Sequence, residues 1–194
     1  MFRSADDLKA CQIQSLDGDL GKINDLYFDD EAWVIRYLVV TTNNWFFKRE
    51  ALVSPIALEP PNWFNKTMQV NLSQEQVDHS PDISVHKPVS KQQEIKYFGY
   101  YGYPIYWGGS GLWGEGLYPG GLMLERDNIN VQPNAEQAKA YAMSENNDPH
   151  LRSWEKVKGV VVNGSDGEIG HIQDLLIDEL TFAVRYVVVR ANDW

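Results

Sequence analysis

The chain lacks most of the features that announce an activity. It has a single cysteine, Cys11, in 194 residues, so no intrachain disulfide can form and no CxxC metal or redox pair exists. Its four histidines, His79, His86, His150 and His171, show no HxH or HExxH spacing, which leaves no defensible metal motif. No apolar run reaches the ~18 residues of a membrane span. The opening MFRSADDLKACQIQ has no apolar core of the signal-peptide kind. Positive charge is scarce as well: 17 Lys and Arg against 27 Asp and Glu give a net charge of −10, and Lys48-Arg49 is the only adjacent basic pair. Phosphate binding needs a basic surface, so nucleic acid is not expected as the main partner. No Ser–His–Asp or Cys–His grouping emerges. The expectation is a soluble cytoplasmic protein with no catalytic, cofactor-binding or metal-ligating set and no membrane insertion.

What the chain does contain is a repeat. Residues 17–45, DGDLGKINDLYFDDEAWVIRYLVVTTNNW, recur at 166–194 as DGEIGHIQDLLIDELTFAVRYVVVRANDW, at a constant offset of 149. Thirteen of the 29 positions are identical, among them Gly21/Gly170, Asp25/Asp174, Asp29/Asp178, Arg36/Arg185 and Tyr37/Tyr186. Arg3-Ser4 and Lys9 match Arg152-Ser153 and Lys158 at the same offset. Self-similarity at one fixed spacing implies two copies of one folding unit.

Within a copy the signals are those of short strands. Ser4 caps a helical turn, residues 10–15 read as a strand, and Asp17-Gly18 is a hairpin turn. Residues 33–42 form a β-branched and aromatic run with both faces partly apolar, as in a strand covered on both sides. EALVSP and TMQVNL are further short strands, the latter expected to close the sheet, and Ser73-Gln-Glu-Gln76 has the form of a capping box. Closely spaced short strands of this kind indicate a small barrel or sandwich. Between the copies, Ser90 caps a helix over KQQEIKYFGYY, a glycine- and aromatic-rich loop follows to residue 118, and residues 134–147 form a second short helix by propensity. The second copy stops at Trp194, the counterpart of Trp45, without the last two strands of the first. A truncated second barrel is expected, because half a barrel leaves an open strand edge.

The pattern DGxxGxIxDxxxD…RYxVVxxxxW, together with Leu52-Val-Ser-Pro55 and VNLSQEQVDHSP at 70–81, resembles the PRC-barrel domain, the cytoplasmic barrel of the photosynthetic reaction centre H subunit. PVSKQQEIKYFGYYGYPIYW at 88–107 is similar to linkers in bacterial tandem PRC-barrel proteins. The resemblance covers roughly two-thirds of the chain. It implies an all-β fold: two small antiparallel barrels, at 2–80 and 150–194 with the second incomplete, joined by an aromatic, partly helical linker at 81–149. It also implies an interaction role and no defined reaction.

Several residues are candidate sites. The turn Asp29-Asp30-Glu31, with Asp25, has oxygen ligands a cation would use, but not the spacing of a Ca²⁺ loop; it reads as a solvated turn. Arg36 and Arg185 sit inside apolar strands and read as structural ion pairs, with Asp25 or Asp29 and with Asp174 or Asp178 respectively. Gly108-Gly109-Ser110-Gly111 lacks the P-loop pattern and reads as linker. The aromatic run Tyr97, Phe98, Tyr100, Tyr101, Tyr103, Tyr106, Trp107, Trp113 and Tyr118 contains no Lys or Arg, unlike a nucleic-acid stacking platform. Its residues, other than Phe98, form the candidate interaction surface, with packing across the barrels as the structural reading. The function expected is that of a non-enzymatic scaffold binding protein partners, as a homodimer. The alternative is a small-molecule binder or enzyme with a pocket between the barrels near the aromatic linker.

Overall fold

A computed structural model describes residues 1–42, 49–81, 89, 91–107, 109–122 and 150–191. The Ser90 cap, His86, Gly108, the helix expected at 134–147, and Trp45 and Trp194 of the repeat lie outside these.

The first-copy elements form where local chemistry directs them. Strand β1 (Phe2–Ser4) runs into helix α1 (Ala5–Lys9), whose first turn is capped by the Ser4 hydroxyl accepting from the Asp7 amide. Strands β2 (Gln12–Ser15) and β3 (Gly18–Asp29) form the hairpin at Asp17-Gly18. Strand β4 (Val34–Thr42) is buried along nearly its whole length, on both faces. Strand β5 (Glu50–Val53) lies antiparallel on β4, and β6 (Thr67–Gln69) runs parallel to β2. The sheet order is β5-β4-β3-β2-β6. The TMQVNL strand thus extends the sheet at the end opposite β5, and no closed ring of strands is traced among the described residues. Ser73 completes its capping box at α2 (Gln74–Asp78), and KQQEIKYFGYY is helix α3 (Lys91–Tyr101).

The second copy repeats the opening elements as β7 (Leu151–Ser153), α4 (Trp154–Val157), β8 (Val161–Gly164), β9 (Gly167–Asp178) and β10 (Val184–Ala191). The identical glycines have a steric cause. A Cβ on Gly21 would lie 1.9 Å from the Thr41 carbonyl oxygen, and one on Gly170 would lie 2.0 Å from that of Arg190.

The copies exchange their first strands. β1 pairs with β9, not with the first sheet, in the register Phe2↔Asp178, Arg3↔Ile177, Ser4↔Leu176. β7 pairs with β3 as Leu151↔Asp29, Arg152↔Phe28, Ser153↔Tyr27, the same register displaced by 149. Everything around the crossing is reciprocal. Ile35 N donates to Phe182 O at 2.9 Å and Val184 N to Trp33 O at 2.7 Å. Arg3 pairs with Glu179 at 3.0 Å and Arg152 with Asp30 at 2.5 Å; Lys158 pairs with Asp6 at 2.8 Å, and Lys9 with Glu155. Exposed pairs of this kind contribute at most about 1 kcal/mol each. The apolar burial beneath them, Ala5, Leu8, Leu151 and Trp154 at 1% exposure or less, carries more.

Interlocked halves should unfold together. Ser153 donates to Asp25 and also caps α4 through the Lys156 amide. Ser153→Ala is therefore expected to cost about 1–2 kcal/mol and to lower the midpoint of a single thermal transition. Two separate transitions, only one of them shifted, would contradict the interlocked arrangement.

Candidate functional site

Both repeated arginines occupy β-bulges. In β4 the register steps from Tyr27↔Tyr37 to Phe28↔Ile35, leaving Arg36 as the extra residue. In β10 it steps from Leu176↔Tyr186 to Ile177↔Val184, leaving Arg185 in the same position. A bulge redirects the side chain it carries. Arg36 is buried: its Nη2 is 3.2 Å from Asp29 Oδ2, and its Nη1 donates to Leu112 O at 2.6 Å. Its guanidinium lies 3.8 Å from the Tyr106 ring centroid and 4.8 Å from that of Trp113, a stacked arrangement that suits its planar, weakly hydrated charge. Asp29 Oδ1 accepts from the amides of Glu31 and Ala32, so the acidic turn is ordered by its own backbone.

Of the carboxylates expected to face the arginines, Asp29 does so and Asp25 does not. Asp25 accepts from the Ser153 hydroxyl at 2.5 Å and the Glu155 amide at 3.1 Å, and Asp174 accepts from the Ala5 amide at 3.0 Å. Both acids hold exchanged strands in place. Burial raises the Asp25 carboxyl above its ordinary range, against the hydrogen bonds it accepts. Asp178 accepts from Leu180 and Thr181 amides. These, with the Arg185 charge, outweigh burial and hold its carboxyl low.

Beside Arg36 lies a buried polar cluster. Glu94 on α3 is fully enclosed, and its Oε1 accepts from the hydroxyls of Tyr37 and Tyr106, each at 2.8 Å. His150, the residue before β7, places Nε2 3.2 Å from the Tyr106 oxygen and 3.2 Å from Glu94 Oε2. The Oε2 contact is one of charge more than of an aligned hydrogen bond, since that oxygen has no partner of hydrogen-bond geometry. Burial, then Glu94, pushes both phenols well above their ordinary range, so they remain donors. For His150, burial opposes the charged form, but the Glu94 carboxyl, as partner and as charge, with Asp29 beyond it, outweighs burial and raises its pKa. A cavity of about 220 Å³ adjoins the cluster, lined by Asp29, Arg36, Lys91, Tyr106, Trp107 and His150 among others. Arg36 Nε, His150 Nδ1 and Trp107 Nε1 have no acceptor among the described residues.

The aromatic run mostly packs inside the chain. Tyr97, Phe98, Tyr106 and Trp113 are buried, Tyr101, Tyr103 and Trp107 partly so, and only Tyr100 and Tyr118 stand exposed. Tyr97, Tyr106 and Trp113 therefore lie in the core, not on a surface. Tyr97 accepts from Ser54 N and donates to Leu52 O, pinning α3 onto the end of β5. Trp113 Nε1 donates to Thr181 O at 2.8 Å, so one linker ring reaches the second copy. Glu94 belongs to no motif of the sequence. Its signal was an acid on the helix face shared with Tyr97, Phe98 and Tyr101, three, four and seven positions on. Among the described residues no three His, Cys, Asp or Glu side chains gather as metal ligands, and no helix is long and apolar enough to cross a membrane.

Among the described residues the second copy shows no such cover. Tyr37 is 0% exposed and its counterpart Tyr186 is 57%; Leu38 is 0% and Val187 is 38%; Leu20 is 2% and Ile169 is 38%. Among the described residues β10 pairs with β9 alone.

Residues 1–72 match the PRC-barrel domain family, a span that runs from β1 through β6. No curated protein matches the chain.

The His150–Glu94 contact sets a pH dependence. A histidine whose folded pKa is raised stabilises the fold fully below its unfolded value, near 6.5, and that stability is lost as pH rises through the folded pKa. Denaturation midpoints should fall as pH is raised through and above 6.5, and His150→Asn should flatten that slope. Glu94→Ala, which strands two phenols and His150, should cost about 3–5 kcal/mol. An unchanged slope in His150→Asn would show that the dependence arises elsewhere.

Proposed function

We propose that this chain is a non-enzymatic interaction protein: a bacterial, cytoplasmic scaffold of the tandem PRC-barrel type, acting through protein–protein contacts. The observation that carries the reading is the burial asymmetry between the copies. Among the described residues the same strand sequence is core in one and carries exposed Tyr186 and Val187 in the other, and exposed apolar surface marks interaction sites. The linker aromatics contribute indirectly, by closing the first copy and leaving the second as the contact face. Self-association into a homodimer is one way to cover that face, and a second polypeptide is another.

The cavity beside Arg36 favours a second reading, a small-molecule binder at the aromatic linker. The basic side chains Arg36, Lys91 and His150 in its lining suit a small anion such as a carboxylate. At about 220 Å³ it is below the ~300–1,000 Å³ of sites for drug-sized ligands, so only a small compound would fit.

The interaction reading is tested by Tyr186→Asp combined with Val187→Asp, two exposed positions whose replacement should leave the melting temperature within a few degrees of the native value. The native chain used as bait is expected to retain a protein, or to sediment as a dimer, and the variant to lose that contact. Identical retained proteins and identical solution mass for both would sink the reading.

A further inference from the structure

We propose that the cavity beside Arg36 takes up a small carboxylate together with a proton, which His150 holds. The inference rests on the small-molecule reading above and adds what controls that site. Two cations of the lining, Arg36 and Lys91, are matched by two carboxylates, Asp29 and Glu31. Asp29 is itself paired with Arg36 at 3.2 Å. With a neutral imidazole the lining therefore carries no net charge, and a carboxylate leaving water is not compensated. With imidazolium it carries one positive charge. His150 is the group of the lining whose ordinary titration falls between pH 5 and 8, so its proton decides whether an anion is admitted.

The geometry suits His150 to both tasks. Its Nε2 lies 3.2 Å from the Tyr106 oxygen and 3.2 Å from Glu94 Oε2, while its Nδ1 is buried with no acceptor among the described residues. Imidazolium donates from both nitrogens, so one N–H serves Tyr106 and Glu94 and the other serves a ligand. Trp107 Nε1, also in the lining, is a neutral donor with no acceptor among the described residues. The groups that bear on the imidazole are Glu94 and Lys91 from α3, Tyr106 from the linker and Asp29 from the end of β3. Burial and Lys91 disfavour its charge, Glu94 and Asp29 favour it, and the balance lies above the ordinary histidine value. An anion that needs this charge keeps its affinity below the His150 pKa and loses up to about tenfold per pH unit above it.

The test uses the full chain, with acetate as the probe and acetamide as its neutral isostere. Binding is followed by the ring-proton resonances of Trp107 and His150 at pH 6 and pH 8.5, on either side of the ordinary histidine range. Acetate is expected to bind several-fold more tightly at pH 6 than at pH 8.5, and acetamide to bind weakly with no pH preference. Saturating acetate should raise the titration midpoint of His150, because such coupling is reciprocal. His150→Gln should bind acetate with one low affinity at both pH values; if that variant does not fold, the acetate–acetamide comparison and the midpoint shift decide on the native chain. Equal acetate affinity at both pH values, acetamide matching acetate at pH 6, or a pH preference that survives in His150→Gln overturns the proposal and leaves the small-molecule reading standing. No response to either compound at hundred-millimolar concentration, at either pH, removes that reading and the proposal together.

Discussion

Asp25 and Asp174 sit where the chain crosses itself, and much of the remaining structure depends on what they hold. Each accepts from a backbone amide at the start of a helical turn, Glu155 N for Asp25 and Ala5 N for Asp174. Those amides lack partners within their own turns. The turn in question always belongs to the other copy. The carboxylates therefore fix which strand lies beside which sheet, and β1 and β7, three residues each, are too short to hold a place without such anchors. Once they are anchored, the reciprocal ion pairs and the buried Leu8 and Trp154 follow from geometry alone.

The crossing also explains a local strain. Trp33 and Phe182 adopt left-handed backbone conformations, with φ of 54° and 57°, which costs a non-glycine residue about 1–2 kcal/mol. Each residue's carbonyl accepts an amide from the opposite copy, and each residue's own amide donates back to its acidic turn, at Asp29 O and Asp178 O. Extended backbone at either position would break both contacts. The strain recurs at the same position because the contact that offsets it recurs there too.

What was legible in the sequence was what local chemistry decides. The hairpin at Asp17-Gly18, the Ser4 and Ser73 caps and the doubly covered β4 all follow from residues within a few positions of one another. The strand exchange was not legible, because both copies carry Arg-Ser at this point and either partner satisfies the same register. The choice of Asp29 over Asp25 for Arg36 was hidden for a related reason. It depends on the bulge at Tyr27/Phe28, and alternation alone treats both acids as near neighbours. The place of Tyr106 in the core depends on Glu94, whose value as an acceptor appears only once Tyr37 and Tyr106 are brought to it from separate elements.

Arg36 and Arg185, with Tyr37 and Tyr186, show how little of a residue's role its own sequence context settles. The two pairs share a bulge and an acidic turn, yet one is enclosed and the other open. The difference lies in residues 50–122, which supply a strand, an acid-bearing helix and stacked rings to the first copy. That cover turns an arginine into a charge-balanced core residue: Asp29 pairs with it, the Leu112 carbonyl accepts a hydrogen bond from its Nη1, and Tyr106 and Trp113 pack against the guanidinium. Without an equivalent cover, Arg185 keeps its charge at the surface beside an exposed tyrosine and three valines. The same arginine is thus a paired core residue in the first copy and an exposed one in the second, and the difference comes from elements outside the repeat.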